Sequence, residues 1–509
     1  MMSFSELKTT VNRHEWWSED CPVKWQYCYW AHAFVEQRAY FHPDFLSLCA
    51  VVVCDGFGQE KTSVQEKLAI YDWLKAQYQE DHGYFDSEYD SWMRVRGDLI
   101  DQGRKVISSS SQWSKEELRV EYARLMTLAL DSIRWGVMIE CADPYGESVL
   151  PLQLARAFPD LSAEDCNNII VTLSAPLIVS FMEEFELEKL QILADYREAL
   201  TKAANWEDLS NEDVLSRINE VAKSYQWLTV NYAGSPPLSS ADVFKQLKDD
   251  AAVRNHDDIL QAIEEVHSKV DRTQAAQVKL LAQYDFPEDI LDDFSILREI
   301  GRWMDERKES MVRTNLALFK VLAEISKVSG ISKNELEWYT VKEIDNLLES
   351  DNRVSSQDII NRSTKAVFVT EYDGEGGSYL EIYTGDRASE LSELLNSDSD
   401  EPLTGMVAAR GHDEQESFSG TVEVVLDAAV DNFTLGNILV TSMTRPDFVP
   451  LLKKASAIIT DEGGVTCHAA VVSRELGIPC IIGTRHSTKR LRSGDKVTLN
   501  LQTGVIERL

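Results

Sequence analysis

Apolar residues recur at helical spacing through most of the first 360 positions. The pattern predicts helices over Ser63–Tyr78, Lys115–Ile139, Ala163–Tyr196, Asn211–Tyr225, Ser240–Lys248, Asp257–Tyr284 and Asp289–Ser329. Capping signals stand at several starts, among them Ser162-Ala163-Glu164-Asp165 and, after Pro236-Pro237, Ser240-Ala241-Asp242. Strand-like alternation is almost absent, and no self-similar repeat marks a solenoid. Residues 1–363 are therefore expected to form a large all-α domain.

The pattern changes near Lys365. Ala366–Thr370 and Tyr379–Tyr383 are β-prone and flank the glycine-rich Asp373–Ser378, which predicts a hairpin. A short helix over Ala388–Leu395 follows, then a polar stretch, Asn396-Ser397-Asp398-Ser399-Asp400-Glu401-Pro402, with a linker's composition. Residues 364–402 thus read as hairpin, short helix and linker. From Leu403 to Leu509 short strands alternate with one or two helices, the texture of a small α/β domain.

Charge and cysteine usage narrow the partners. A formal net charge of -34, spread along all 509 residues, argues against nucleic acid and anionic membranes, both of which reward basic patches. The eight cysteines lack Cys-x-x-Cys spacing, so neither a metal site nor a disulfide framework is expected. The start Met-Met-Ser-Phe-Ser-Glu turns polar at once, and the apolar run Leu48–Cys54 is too short to span a bilayer. A cytoplasmic protein is the expectation.

Candidate chemistry concentrates between Leu451 and Pro479. Ala457-Ile458-Ile459-Thr460 reads as a strand after a short helix, and Asp461-Glu462-Gly463-Gly464 as a turn whose glycines let N–H groups approach an anion. Thr466 suits the N-cap of a helix running to Leu476, with Gly477 as its stop and Pro479 just beyond. That places His468 in the first helical turn, where free N–H groups and the helix dipole favour negative charge.

Thr460-Asp461-Glu462-Gly463-Gly464-Val465-Thr466-Cys467-His468-Ala469-Ala470, followed by Arg474-Glu475-Leu476-Gly477-Ile478-Pro479, resembles the phosphohistidine signature of the phosphoenolpyruvate-utilizing enzymes. That family includes phosphoenolpyruvate synthase, pyruvate phosphate dikinase and the rifampicin phosphotransferase type. The likeness extends through Gly436–Asp447 upstream, and through Ile481-Ile482-Gly483 and Gly494–Leu499 downstream. It implies that residues 403–509 are a swivelling domain carried by the 396–402 linker, with His468 as the phosphorylated nucleophile. Gly463, Gly464 and Thr466 would supply donors to the phosphoryl oxygens. Cys467 would be the small residue that the family places beside its histidine, and Arg474 a docking residue.

A looser resemblance links Arg298–Lys308 to the charged helix of the family's central helical domain, together with Trp227, Asn231 and Tyr232 ahead of Ala233-Gly234-Ser235-Pro236-Pro237. It implies that the helical domain binds a small-molecule substrate, with Arg302, Arg307, Lys308, Trp227 and Tyr232 as candidate contacts. A solvated face with paired charges is the alternative for that helix. Related full-length enzymes begin with an ATP-grasp region, and nothing in this sequence resembles it. The resemblance therefore implies Mg-ATP bound by a separate ATP-grasp subunit. A condensing or dehydrating component that activates its substrate by phosphorylation, or a non-catalytic binding module, stays open beside this reading.

Other motifs carry less. Gly56-Phe57-Gly58-Gln59-Glu60-Lys61-Thr62 ends like a phosphate-binding loop but lacks a glycine directly before the lysine. A turn before the Ser63 helix is expected there. Trp16, Trp17, Trp25 and Trp30 read as packing residues, with an aromatic-walled pocket as the alternative. His14, His32 and His42 have no metal-ligand spacing and read as structural.

Overall fold

A computed structural model describes residues 2–14, 16–21, 35–36, 46–109, 113–142, 145–209, 211–230, 236–375, 377–395, 403–411, 416–426, 433–444, 448–461, 468–484 and 487–509. The chain builds a large, mostly helical N-terminal region and a smaller C-terminal domain around a mixed sheet.

The N-terminal region is not all-α. Strands β1 (Trp16–Cys21), β2 (Leu48–Cys54) and β3 (Phe57–Ser63) join β4 (Lys365–Tyr372) and β5 (Ser378–Thr384) in one antiparallel sheet of order β1-β3-β2-β4-β5. The predicted hairpin is β4–β5, and its register on β2 sets Val51 opposite Phe368. Alternation is missing from β2 because both of its faces are covered. Cys49, Val51 and Val53 enter the main helical core, while Leu48, Ala50 and Val52 pack with Val367, Val369, Tyr383 and Leu391. A strand buried on both sides reads as a continuous apolar run.

The Gly56 segment is also corrected. Asp55 and Gly56 both have positive φ, 47° and 84°, the geometry of a two-residue hairpin turn between β2 and β3. Lys61 is thus a buried strand residue rather than the end of a turn. Ser63 does cap the next helix, Val64–Glu80, by accepting the Glu66 N–H at 3.2 Å. Its hydroxyl also meets Nδ1 of His14 at 2.9 Å, a structural role for that histidine. Trp25, Trp30, His32 and His42 lie outside the described residues.

Two predicted helices divide. Ala163–Tyr196 is Ala163–Ser174 and Phe181–Lys202, broken around Pro176, which cannot continue a helical hydrogen-bond ladder. A capping box of Ser180 and Glu183 restarts the chain. Asp257–Tyr284 is His256–His267 and Lys269–Gln283, joined at Ser268. Tyr84–Ser108 is the longest described helix that is not in the periodicity reading. Its large apolar contacts, Phe85, Trp92, Leu99 and Val106, stand a heptad apart and leave a thin stripe among charges.

The 42-residue helix Glu288–Ser329 runs through the region and packs on Tyr84–Ser108 and Lys115–Gly136. A second core, including Leu190, Leu193, Ile218 and Leu247, holds a smaller bundle between residues 181 and 267. Among the described residues, no helix is long and apolar enough to cross a membrane.

The C-terminal sheet contains β6 (Leu403–Thr404), β7 (Met406–Arg410), β8 (Ser417–Val424), β9 (Ile438–Thr441), β10 (Ala457–Thr460), β11 (Pro479–Ile482), β12 (Lys496–Asn500) and β13 (Val505–Arg508). Their order is β6-β13-β12-β8-β9-β10-β11-β7, with β8 to β11 parallel. Ile438, Val440, Ala457, Ile459 and Ile481 face one core. Leu439, Ile458, Cys480 and Ile482 face the other, beneath the helices Val449–Leu452 and His468–Leu476. The period of two is present, but both faces are apolar.

Candidate functional site

The carboxyl ends of β9, β10 and β11 lie side by side, the edge of a parallel sheet where α/β folds hold ligands. The chain leaves β10 through Thr460 and Asp461 and returns as the helix His468–Leu476. His468 is its first residue, at the end where backbone N–H groups lack intrahelical partners. Gly463, Gly464, Thr466 and Cys467 lie outside the described residues.

The helix is fixed from below and at its far end. Ala469 and Ala470 are fully buried against the sheet, and the sulfur of Cys480 on β11 lies 4.0 Å from the Ala469 carbonyl oxygen. At the other end Gly477 adopts φ 61°, the Ile478 N–H donates to the Ser473 carbonyl at 3.0 Å, and the Gly477 N–H donates to Arg474 at 3.3 Å. Those paired bonds form the Schellman stop expected of a glycine there. Arg474 Nε donates to the Ala408 carbonyl on β7 at 3.0 Å, which ties the helix to the outermost strand of the sheet.

Hydroxyls crowd the strand ends. The Asp461 N–H donates to Thr441 at 3.1 Å, and Thr484 donates to the Thr460 carbonyl through both its N–H, at 3.0 Å, and its hydroxyl, at 2.9 Å. The Asp461 carboxylate, 5% exposed, accepts from Ser487 Oγ at 2.5 Å, Thr484 Oγ1 at 3.1 Å, the Thr488 N–H at 3.0 Å and the Thr488 hydroxyl. Sequence reasoning treated Asp461 only as a turn residue. An acidic residue directly after an apolar strand, with three hydroxyl residues following β11, was the signal available. Among the described residues, no group of three or more His, Cys, Asp or Glu is placed to hold a metal.

The described candidate substrate residues turn to different partners. The Arg302 guanidinium lies over the Tyr89 ring, 3.7 Å from its centroid, and its Nη1 is 3.4 Å from Glu299. Tyr89 in turn donates to Glu306. Arg307 instead turns to buried Glu140, Nη1 to Oε1 2.6 Å, with Lys67 at 4.0 Å from the other oxygen. Trp227 is buried, donates from Nε1 to the Ser224 carbonyl at 2.7 Å, and carries the Arg313 guanidinium 4.4 Å over its ring. Lys308 is exposed on the long helix near Asp305. Tyr232 and Asn231 lie outside the described residues. Burial pushes the Asp305 carboxyl up to about 6, and burial together with the nearby Glu309 and Glu306 raises that of Glu184.

Residues 433–504 match the family model described as PEP-utilising enzyme, mobile domain. Over 137 residues the chain is 43% identical to a probable phosphoenolpyruvate synthase of Pyrococcus horikoshii, covering 26% of this chain and 17% of that one. It is 54% identical over 89 residues to the phosphoenolpyruvate synthase of Pyrococcus furiosus, covering 17% and 11%. The phosphoenolpyruvate synthase of Neisseria meningitidis is 45% identical over 91 residues, covering 18% and 12%. The matched stretches thus span less than a fifth of each relative. They support a relationship to the PEP-utilising enzymes in general, and the family-model match lies within the C-terminal domain.

Proposed function

We propose that this chain is the phosphoryl-carrying part of a phosphotransferase, with His468 as the nucleophile. One observation carries the reading: a histidine opens a helix directly behind the carboxyl ends of parallel strands, inside the segment that matches the PEP-utilising mobile domain. In the first step a neutral imidazole nitrogen attacks phosphorus, so a P–N bond forms as a P–O bond to the donor breaks. In the second, an acceptor oxygen forms a new P–O bond, the P–N bond breaks and neutral imidazole returns. The helix N-terminus favours the charge on the transferring group in both steps.

In this reading Mg-ATP belongs to an ATP-grasp unit on a separate polypeptide. Attack at the β-phosphorus releases AMP, and water then cleaves the β–γ P–O bond, so phosphate leaves and the β-phosphoryl group stays on His468. Residues 1–363 hold a small-molecule acceptor, and residues 403–509 move between donor and acceptor on the 396–402 segment. Arg302, exposed in part above Tyr89, and the Arg313–Trp227 pair are the acceptor contacts favoured by their surroundings. The test combines the purified chain with an ATP-grasp protein encoded beside its gene and with ATP radiolabelled on the β-phosphate. Label on the wild type and none on His468→Ala is the expected result. Equal labelling of both overturns the proposal.

A further inference from the structure

We infer that Asp461 is a positioning residue for His468, an inference that rests on the carrier reading above. Asp461 is the last described residue before the connection that leads to His468, which follows it by seven positions. It is also where two strand-end connections are tied together. Its buried carboxylate takes hydrogen bonds from Thr484, Ser487 and Thr488, all beyond the end of β11, while its own N–H is held by Thr441 at the end of β9. One residue, through its carboxylate and its backbone N–H, therefore links the exits of all three adjacent parallel strands at the crevice.

The downstream end of the same connection is independently fixed, by the burial of Ala469 and Ala470 and by the stop at Gly477. With both ends held, the histidine has a restricted set of positions. Restricting it matters because phosphoryl transfer draws its rate mainly from alignment of nucleophile and phosphorus. A carboxylate suits the task better than an amide. It offers acceptor sites on both oxygens, whereas Asn presents an NH₂ to the Thr488 hydroxyl, which already donates. Substitution by Asn keeps the shape and the acceptor oxygen shared by the Thr484 hydroxyl, the Ser487 hydroxyl and the Thr488 N–H, so the fold is expected to persist while the Thr488 hydroxyl bond to the second oxygen is lost.

The test uses phosphoramidate, a small phosphoryl donor that needs no protein partner, and follows the P–N signal by phosphorus NMR in wild type, Asp461→Asn, Asp461→Ala and His468→Ala. Hydrogen exchange is measured in parallel on peptides spanning 461–468 and on the β9–β11 core. The expected result for Asp461→Asn is full final phosphorylation reached about 10- to 100-fold more slowly, with faster exchange confined to 461–468 and an unchanged unfolding midpoint. Wild-type rate and wild-type exchange in Asp461→Asn overturn the inference. So does a rate loss accompanied by faster exchange through the whole core, which is the mark of a merely structural role. If phosphoramidate labels no variant, exchange alone decides. Labelling of His468→Ala at the wild-type level instead removes the carrier reading, whatever Asp461 does. Should Asp461→Ala fail to fold, the double variant Ser487→Ala, Thr488→Val removes two of the three hydroxyl donors from the other side and is read the same way.

Discussion

The carboxylate of Asp305, in the middle of the long helix Glu288–Ser329, accepts the backbone N–H of Phe181 at 3.1 Å. Phe181 is the first residue of the helix Phe181–Lys202, so this bond satisfies one of that helix's free donors and joins the main helical core to the smaller bundle. The Phe181 ring meets Trp227 edge-on at 5.4 Å, and Trp227 carries Arg313 from the long helix. Aromatic, cationic and carboxylate groups are thereby gathered where the two helical subregions meet.

Burial raises the Asp305 carboxyl to about 6 from an ordinary value of 3.8, with the Phe181 N–H opposing the shift. The folded protein therefore holds this proton over a pH range in which the unfolded chain has released it. Stability from this group falls as pH rises from about 4 to about 6, and the cost is fully present above that window. Asp305→Asn keeps the acceptor for Phe181 and removes the charge. It is expected to be about 1 kcal/mol more stable than wild type at pH 7.5, a discounted figure because the carboxyl keeps part of its surface in water. Urea unfolding at pH 7.5 and 4.5 checks this, with the margin closing at the lower pH.

Arg474 and Gly477 are expected to matter for the fold of the C-terminal domain rather than for phosphoryl acceptance. Arg474→Ala removes one charged hydrogen bond to the Ala408 carbonyl, worth about 1–2 kcal/mol at a partly exposed position. Gly477→Ala places a Cβ at φ 61° and is expected to cost about 1 kcal/mol. Thermal unfolding measures both losses. The rate of His468 phosphorylation should stay within about twofold of wild type, since neither change reaches the helix N-terminus.

Legibility followed the number of faces that each element exposes. The helix stop at Gly477, the strand Ala457–Thr460 and a helix running through His468 to Leu476 were readable because punctuation residues mark them in one short stretch. β2 was not, because a strand covered on both sides loses its alternation. Tyr84–Ser108 escaped because its stripe is thin, and the break near Pro176 because apolar spacing resumes almost in phase after it. In the site, His468 was legible from its glycine-turn neighbours. The hydrogen bonds of Asp461 were not, since their donors lie more than twenty positions downstream and meet it only through the parallel pairing of β10 with β11.

Arg302 and Arg307 look equivalent in sequence, two cations on one charged helix, yet their surroundings predict opposite consequences. Arg307 is mostly buried and donates to Glu140, itself 3% exposed, so Arg307→Ala removes one partner of a desolvated ion pair. That change is expected to cost about 3 kcal/mol, and Arg307→Lys only part of it, because the charge survives while the fork does not. Arg302 rests on the outer face of Tyr89 with a long contact to Glu299, and Arg302→Ala should cost under about 1 kcal/mol. Denaturant midpoints separate the two. If Arg302 contacts the acceptor, its alanine variant keeps wild-type phosphorylation of His468 but discharges the phosphoryl group more slowly to small molecules extracted from cells. Arg307→Ala should instead lower the unfolding midpoint first. Equal midpoints for the two variants would contradict the assignment of Arg307 to the buried pair.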